Sequence, residues 1–400
     1  MRQALPVTTT VYLAPDVERL AALARSDGRI GIDTEFVSEG RYLPLLCLVQ
    51  VAVTDPDADG GVRVELIDPI AAEAPDPAPL AAVLADPAIE VVMHAGRQDI
   101  AILRREWQTS ISSVFDTQIA AAFAGLGAQL GHSALVAALL DRRAARSASF
   151  TRWDTRPLSS EQLAYARDDV IHLHAMATAL HARLERTERS AWSREECRLL
   201  EQASDERDPD TAYRRLPRSG RLSARQRAVA RELAAWRERT AAAENRPVGS
   251  VLGDAQLVEL AARQPPNADA LRQTRGLHPP LIRRRGEAIL EAIARGVAAP
   301  PLARDDDERP IAGPGLAPLI SLAEALVRAR VSEANIAYEL VSTRADLQAI
   351  AAAARSGSPE PAVRTLTGWR RELVGAELLE LFAGRRALSI ERGTLRVQEL

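Results

Sequence analysis

Short apolar runs of strand length dominate the first part of the chain. The ranges 29–36, 45–53 and 62–67 are rich in aliphatic and β-branched residues, and stretches of Ser, Asp, Pro and Gly separate them. Such runs bounded by turn-forming residues predict β-strands, and the short connections favour antiparallel neighbours. We therefore expect these three strands to form an antiparallel meander at one side of a sheet.

Strands and helices then alternate. Further strands are predicted at 90–94 and 113–115, and four helices are predicted from apolar positions at helical spacing. These helices are 79–84, 98–107 and 117–123, together with an earlier one that begins after Asp16, a residue suited to capping a helix N-terminus. Strands followed by alternating strand and helix predict an α/β layer with a mixed sheet.

From Gly131 onward the pattern is almost entirely helical, and Pro-, Asp- and Arg-rich segments interrupt it. The segment at 299–315 includes the charged run 304–309. Such segments are typical of linkers. The predicted domains are 1–206, 222–298 and 316–400, with linkers at 207–221 and 299–315. A small hairpin is expected at 388–397, with Gly393 at its turn.

Composition describes a globular chain of 400 residues with a net charge of −3. All basic side chains are arginine, and the segment 222–296 carries thirteen of them against eight acidic residues, a net of +5. Any nucleic-acid binding is therefore expected to be local. With only Cys47 and Cys197, no signal peptide and no apolar stretch long enough to span a bilayer, we expect a reducing cytoplasm.

Candidate chemistry begins with Asp33 and Glu35. Residues two apart in a strand point to the same face, so these carboxylates would lie side by side. Two adjacent anions in a buried position repel unless a cation lies between them. Taken alone, the pair is more typical of a turn or a solvated strand end.

Three other positions carry similar ambiguity. Asp99 follows the strand that ends at His94, and an acid in the first turn of a helix also suits the helix dipole. Tyr165 and Asp169 are four residues apart and share a helix face, as an ordinary surface pair also would. Asp116 is most simply the N-cap of the helix that follows it.

Together these motifs resemble the ribonuclease D family, the tyrosine-bearing branch of the DEDD exonucleases. The first motif is Asp-x-Glu at 33–35, the second is His-x4-Asp at 94–99, and the third is Tyr-x3-Asp at 165–169. The stretch 149–158 is also similar. The histidine branch would place His where Ala164 stands, and the family spacing selects Asp169 over the neighbouring Asp168.

The segment 222–296 resembles an HRDC domain, a helical module that ribonuclease D proteins carry behind the nuclease. Trp236-Arg237, Asn245-Arg246-Pro247 and the predicted helix 257–262 carry that resemblance. Residues from Leu316 onward more weakly resemble a second copy. The implied fold is an RNase H-like exonuclease domain with a mixed sheet, followed by one or two all-α HRDC-type domains.

The resemblance implies phosphodiester hydrolysis with two divalent ions about 3.5–4 Å apart. An oxygen-rich site suits Mg²⁺ or Mn²⁺, and the sequence offers no His/Cys cluster for zinc. Asp33 would bridge both ions, Glu35 and Asp169 would hold the ion that binds the attacking water, and Asp99 would serve the second ion. Tyr165 would orient the nucleophile, because a phenol with a pKa near 10 is a poor base at neutral pH.

The expected substrate is a single-stranded RNA 3′ end, with tRNA precursors as the family's usual case. Candidate contacts are Phe36, Gln98 and Arg156, although Phe36 is as compatible with the core and Arg156 with a salt bridge. The RNA body would bind arginines of the HRDC-like unit: Arg225, Arg237, Arg239 and Arg283-Arg284-Arg285, the last run being equally compatible with a solvated helix face. Alternatives are a DNA exonuclease of the same fold and an inactive RNA-binding scaffold. No obligate protein partner is evident.

Overall fold

A computed structural model describes residues 16–142, 152–303 and 315–400. The charged run 304–309, part of the predicted linker 299–315 and the start of the similar stretch 149–158 lie outside the described residues.

A five-stranded mixed sheet forms the centre of the first part of the chain. Its strands, in the spatial order β3-β2-β1-β4-β5, are β1 (Arg29–Val37), β2 (Leu45–Thr54), β3 (Val62–Ile67), β4 (Glu90–Met93) and β5 (Val114–Asp116). β2 and β3 are antiparallel, while β4 is parallel to both β1 and β5. The predicted mixed sheet is confirmed. The antiparallel connections are the short ones, as expected for hairpins.

Helices cover both faces of this sheet. They are α1 (Val17–Asp27), α2 (Ala78–Ala85), α3 (Arg97–Glu106), α4 (Thr117–Phe123), α5 (His132–Leu140), α6 (Ser160–Ile171), α7 (Leu173–Arg186) and α8 (Ser190–Leu200). Side chains of α1, α2 and α3 pack with Ile30 and Ile32 of β1 in one core. Side chains of α4 to α7 pack with Ala52 and Val92 in the other. Each strand therefore presents one face to each helical layer.

In the first part of the chain the predicted elements are recovered with boundary shifts of at most one residue, whereas the helix predicted at 257–262 begins three residues earlier, at Asp254. Asp16 accepts a hydrogen bond from the Arg19 N–H at 2.9 Å and so caps α1, as expected. The strand predicted at 113–115 begins one residue later, because Ser113 has a φ of 54° and stands outside extended geometry.

A second compact unit comprises Ser38–Leu45 and the described residues from Asp205 to Gly315. Its helices are α9 (Ala224–Ala243), α10 (Val248–Val251), α11 (Asp254–Arg263), α12 (Ala268–Arg272) and α13 (Pro279–Ala298). Leu233, Leu257 and Ile289 are fully buried in its core. The loop between β1 and β2 belongs to this unit: the Tyr42 hydroxyl donates to the buried Glu238 carboxylate at 2.8 Å.

The C-terminal residues Leu316–Leu400 cluster with the sheet-bearing part of the chain, in one unit with Leu46–Ser204 and the described residues up to Val37. Their elements are α14 (Leu316–Ala334), α15 (Tyr338–Val341), α16 (Arg344–Ser356), α17 (Gly368–Arg370), α18 (Ala376–Phe382), β6 (Arg386–Glu391) and β7 (Thr394–Glu399). β6 and β7 form the expected terminal hairpin. Within the described ranges, no helix is both long enough and apolar enough to cross a bilayer.

Candidate active site

Three carboxylates converge where β1 passes beneath α6. One oxygen from each of Asp33, Glu35 and Asp169 lies within 4.8 Å of the other two. Asp33 and Glu35 share a face of β1 because they are two residues apart in an extended strand. Asp169 is brought from far along the chain by α6. Asp33 and Glu35 therefore lie side by side, as their strand spacing predicts, and α6 brings Asp169 to the same pair.

Helix α6 fixes the direction of the third acid. Its start is locked by a capping box, in which Ser159 and Gln162 bond reciprocally to each other's backbone N–H. Tyr165 and Asp169 are one turn apart, and the Tyr165 hydroxyl donates to the Asp169 carboxylate. The indole of Trp153 lies beside the phenol, with ring centroids 6.2 Å apart.

Asp99 approaches from the opposite layer. It lies in the first turn of α3, is only 7% exposed, and accepts a hydrogen bond from the Thr34 hydroxyl. Asp116 supports this turn: its carboxylate accepts from the backbone N–H groups of Ala95 and Gly96. Asp116 also accepts from the N–H groups of Gln118 and Ile119, so the predicted N-cap is confirmed.

The cluster carries more negative charge than its surroundings neutralise. Burial, followed by the nearby carboxylates of Asp99, Asp169 and Glu35, raises the pKa of Asp33 well above its ordinary value. Burial and the same kind of repulsion raise the pKa of Glu35 to about 8. Burial above all raises the pKa of Asp169 to about 7 and that of Asp99 to about 6. A bound cation would favour the ionised form of each group.

Two histidines border the acids, and sequence reasoning did not find one of them. His132 places Nδ1 3.9 Å from Asp169 Oδ1, and its ring meets that of His94 edge-on at 5.6 Å. Burial lowers the pKa of each imidazole to about 4, so both are neutral at physiological pH. No local pattern could have indicated His132, because only the fold brings α5 beside α6.

Asp168, the rival acid, lies outside the three-acid group. Its carboxylate faces His172 one turn further along, with Oδ1 and Nε2 3.8 Å apart.

The candidate substrate contacts have different environments. Gln98 is exposed in the first turn of α3, whereas Phe36 packs partly against the core beneath β1. The Arg156 guanidinium bonds to both oxygens of Asp68 at 2.5 and 2.6 Å and to the Cys47 carbonyl at 2.8 Å. The salt-bridge alternative thus describes Arg156 as the structure has it. An RNA contact for any of the three residues stays a prediction.

Some arginines expected to hold RNA bond instead to acids and carbonyls of the protein itself. Arg237 is 4% exposed and bonds to Asp254 and the Leu252 carbonyl. Arg285 is buried against Glu244 at 2.8 Å. Arg225 and Arg283 are exposed and form no ion pair with a described residue. The basic face available to a ligand is therefore smaller than the residue count indicates.

Comparisons with known proteins agree with this arrangement. Residues 8–185 match a family model described as 3′–5′ exonuclease, and residues 226–293 match the HRDC domain. The ribonuclease D of Gluconacetobacter diazotrophicus is 38% identical over 96% of this chain and 94% of its own length. That of Granulibacter bethesdensis is 36% identical over 98% of this chain and 96% of its own length.

Among solved structures, Escherichia coli RNase D matches with a TM-score of 0.78 at 27% identity, covering 93% of this chain and 98% of that one. The match spans the mixed sheet and the helical units behind it, so the predicted exonuclease fold with an HRDC region is confirmed. The chain therefore belongs to the ribonuclease D family and is a 3′–5′ exoribonuclease.

Proposed function

We propose that this chain removes nucleotides from RNA 3′ ends with two divalent metal ions held by Asp33, Glu35, Asp99 and Asp169, and that it processes tRNA precursors. The observation that carries the proposal is the convergence of Asp33, Glu35 and Asp169 within 4.8 Å, with Asp99 facing the same cluster. A structural role for so many neighbouring acids is disfavoured, because their mutual repulsion weakens the folded state.

The residues fit Mg²⁺ or Mn²⁺. The donor set is entirely carboxylate, which hard divalent ions prefer. Burial and neighbouring acids raise the pKa values of Glu35 and Asp169, and a divalent cation would counter both effects. When bound, such ions supply charge stabilisation at the phosphate and lower the pKa of water. Thr34 fixes Asp99 and Tyr165 fixes Asp169, so two of the ligands are held in place by hydroxyl donors.

Tyr165 is proposed to orient the attacking water and not to deprotonate it. Burial and the acids Asp169, Glu35 and Asp33 raise the pKa of its phenol further above the ordinary value of 10. The hydroxyl therefore keeps its proton at physiological pH and can serve as a hydrogen-bond donor or accept from water.

An RNA substrate is supported by the relatives. The curated relatives are ribonucleases D, and the Escherichia coli enzyme is described as an exoribonuclease involved in structured RNA processing. We propose that the strand end enters beside Gln98 and Phe36. A cytoplasmic location is proposed as well, because the two cysteines, Cys47 and Cys197, are buried and are not joined in a disulfide.

A cleavage assay tests the proposal. A tRNA precursor with a 3′ trailer, and a DNA strand with the same tail, are incubated with Mg²⁺ or with a chelator. We expect stepwise shortening of the RNA in Mg²⁺ only, and a loss of at least about 10³-fold for Asp33→Asn. Asp168→Asn, which changes the neighbouring acid outside the cluster, is the matched control and should stay within a few-fold of wild type. Cleavage in the chelator, or by Asp33→Asn at the wild-type metal concentration, would contradict the metal assignment.

A further inference from the structure

Gln50 is the most anomalous polar residue of the sheet. It lies in the middle of β2, is 0% exposed, and neither its Oε1 nor its Nε2 has a hydrogen-bond partner. A buried amide with no partner is costly, and nearly all buried polar groups in proteins are satisfied. An apolar side chain of similar size would fill this position at lower cost, so a local reason for the amide is needed.

The position of Gly31 beside Ala52 places Gln50 opposite Asp33. A Cβ at Gly31 would stand 3.3 Å from the Cβ of Ala52, so these two residues are cross-strand neighbours on β1 and β2. A short loop joins the two adjacent strands, which makes them antiparallel. Two residues further along β1 is Asp33, and two residues back along β2 is Gln50. They form the next cross-strand pair on the same face.

The pairing on the other side supports this register. β2 pairs with β3 without interruption from Val49 to Thr54, so no bulge shifts the face between Gln50 and Ala52. The partner of Gln50 on β3 is Leu66, which offers no side-chain acceptor. Val49 and Val51 point into the opposite core with the helices α1 to α3. Asp33 is thus the polar cross-strand neighbour of the Gln50 amide.

We propose that Gln50 is a positioning residue for Asp33. In the metal-free arrangement the two side chains are cross-strand neighbours without a hydrogen bond; with the metal ion bound, the Gln50 amide N–H would donate to the Asp33 carboxylate and hold it in the orientation that binds the ion. The inference rests on the proposed metal role of Asp33. Cross-strand neighbours have Cβ atoms about 4.5–5.5 Å apart, which a glutamine side chain spans easily. Hydrogen bonds to metal-binding carboxylates fix them and strengthen metal binding, as Thr34 does for Asp99 here.

Metal binding without RNA tests this role. Mn²⁺ is titrated into metal-free protein by calorimetry, with wild type, Gln50→Met, Asp33→Asn and Gln202→Met compared. Methionine keeps the length and volume of glutamine and removes the amide. We expect Gln50→Met to bind Mn²⁺ about 10–100-fold more weakly than wild type. Its thermal midpoint should not fall, because an unsatisfied buried amide has been removed. Gln202→Met, at an exposed site, should match wild type.

The same titration distinguishes a failure of the positioning role of Gln50 from a failure of the metal role of Asp33. If Asp33→Asn loses Mn²⁺ binding and Gln50→Met keeps wild-type affinity, the positioning role is wrong and the proposed function stands. If Asp33→Asn itself keeps wild-type affinity, the metal role of Asp33 is wrong and the inference falls with it. Should Gln50→Met fail to fold, Gln50→Asn keeps the amide but withdraws it by one methylene. It should weaken Mn²⁺ binding as well, and wild-type affinity in that folded variant overturns the inference.

Discussion

At the scale of single residues, the acids of the site oppose folding when no cation is present. The pKa of Glu35 is raised from 4.5 to about 8, and those of Asp169 and Asp99 are raised from 3.8 to about 7 and about 6. A carboxyl group with a raised pKa binds its proton more tightly in the folded than in the unfolded state. Its ionisation therefore destabilises the fold.

The metal-free protein should lose stability as the pH rises from about 5 to 8. At pH 5 the folded cluster holds protons that the unfolded chain has already released. By pH 8 Asp99 and Asp169 have lost theirs and Glu35 is about half ionised. Thermal unfolding in a chelator measures the midpoint across this range. Asp33→Asn should raise the metal-free midpoint at pH 8, since it removes a carboxyl group whose ionisation in the folded state is opposed by burial and by the neighbouring acids. Added Mg²⁺ should stabilise wild type more at pH 8 than at pH 5.5. A midpoint that rises with pH in the chelator would contradict the crowding of these acids.

Tyr165→Phe separates orientation from metal binding. The substitution removes the hydroxyl that donates to Asp169 and leaves the ring beside Trp153. We expect kcat measured at saturating Mn²⁺ to fall about 10–100-fold, the range for a group that orients others, with KM unchanged. Saturation with the ion removes any loss of metal binding that the missing bond to Asp169 causes. Steady-state kinetics on a 3′-tailed RNA provide the measurement. Full activity in the phenylalanine variant would show that the phenol has no role in the reaction.

Sequence reasoning found the acids that a strand or helix places by its own periodicity. Asp33 with Glu35, and Tyr165 with Asp169, follow from spacings of two and four residues. The residues that support them were not found: Thr34 lies on the other face of β1, while His132 and Gln50 reach the site only through helix packing and sheet register. Such cross-element contacts leave no local signal, since each residue fits its own element equally well elsewhere.

At the scale of elements, capping residues and apolar spacing made the helices and strands predictable, because those signals are local. The attachment of the C-terminal helices was not predictable in the same way. Trp369 of α17 is 0% exposed, with its ring edge-on to Phe123 of α4 at 4.9 Å and stacked on Trp192 of α8 at 5.5 Å. Its indole N–H donates to Glu196 at 2.9 Å, and Arg370 bonds to the same oxygen at 2.6 Å.

Trp369→Ala should therefore destabilise the unit that contains the active site. Removing a fully buried tryptophan costs about 3–5 kcal/mol, and here it also removes a donor from Glu196. The thermal midpoint and the activity after mild heating measure the effect. Trp369→Phe, which keeps much of the ring volume, is the control and should cost less. An unchanged midpoint for Trp369→Ala would mean that residues 316–400 fold independently of the sheet-bearing part of the chain.

At the scale of the whole molecule, a net charge of −3 must be reconciled with an anionic substrate. We expect the excess of positive charge in the segment 222–296 to supply the attraction, although several of its arginines form bonds within the protein. Arg227, Arg237 and Arg285 are buried, and each bonds to backbone carbonyls or acids within the same unit. They stabilise the HRDC unit, and only the exposed arginines remain as candidates for contacts with RNA.

Removing exposed arginines should weaken RNA binding and make the remaining affinity less sensitive to salt. For single strands, each phosphate contact contributes about 0.7 to the slope of log affinity against log salt. The double variant Arg225→Ala/Arg283→Ala should therefore flatten the slope by about 1.4 if both arginines contact phosphate, while cleavage of a short substrate that reaches only the catalytic site should be unchanged.

Arg186→Ala, which removes an exposed arginine at the end of α7, is the matched control. Fluorescence anisotropy with a labelled tRNA precursor, in the chelator and between 50 and 200 mM salt, gives the slopes. Equal slopes for the double variant and wild type would mean that these arginines do not contact RNA.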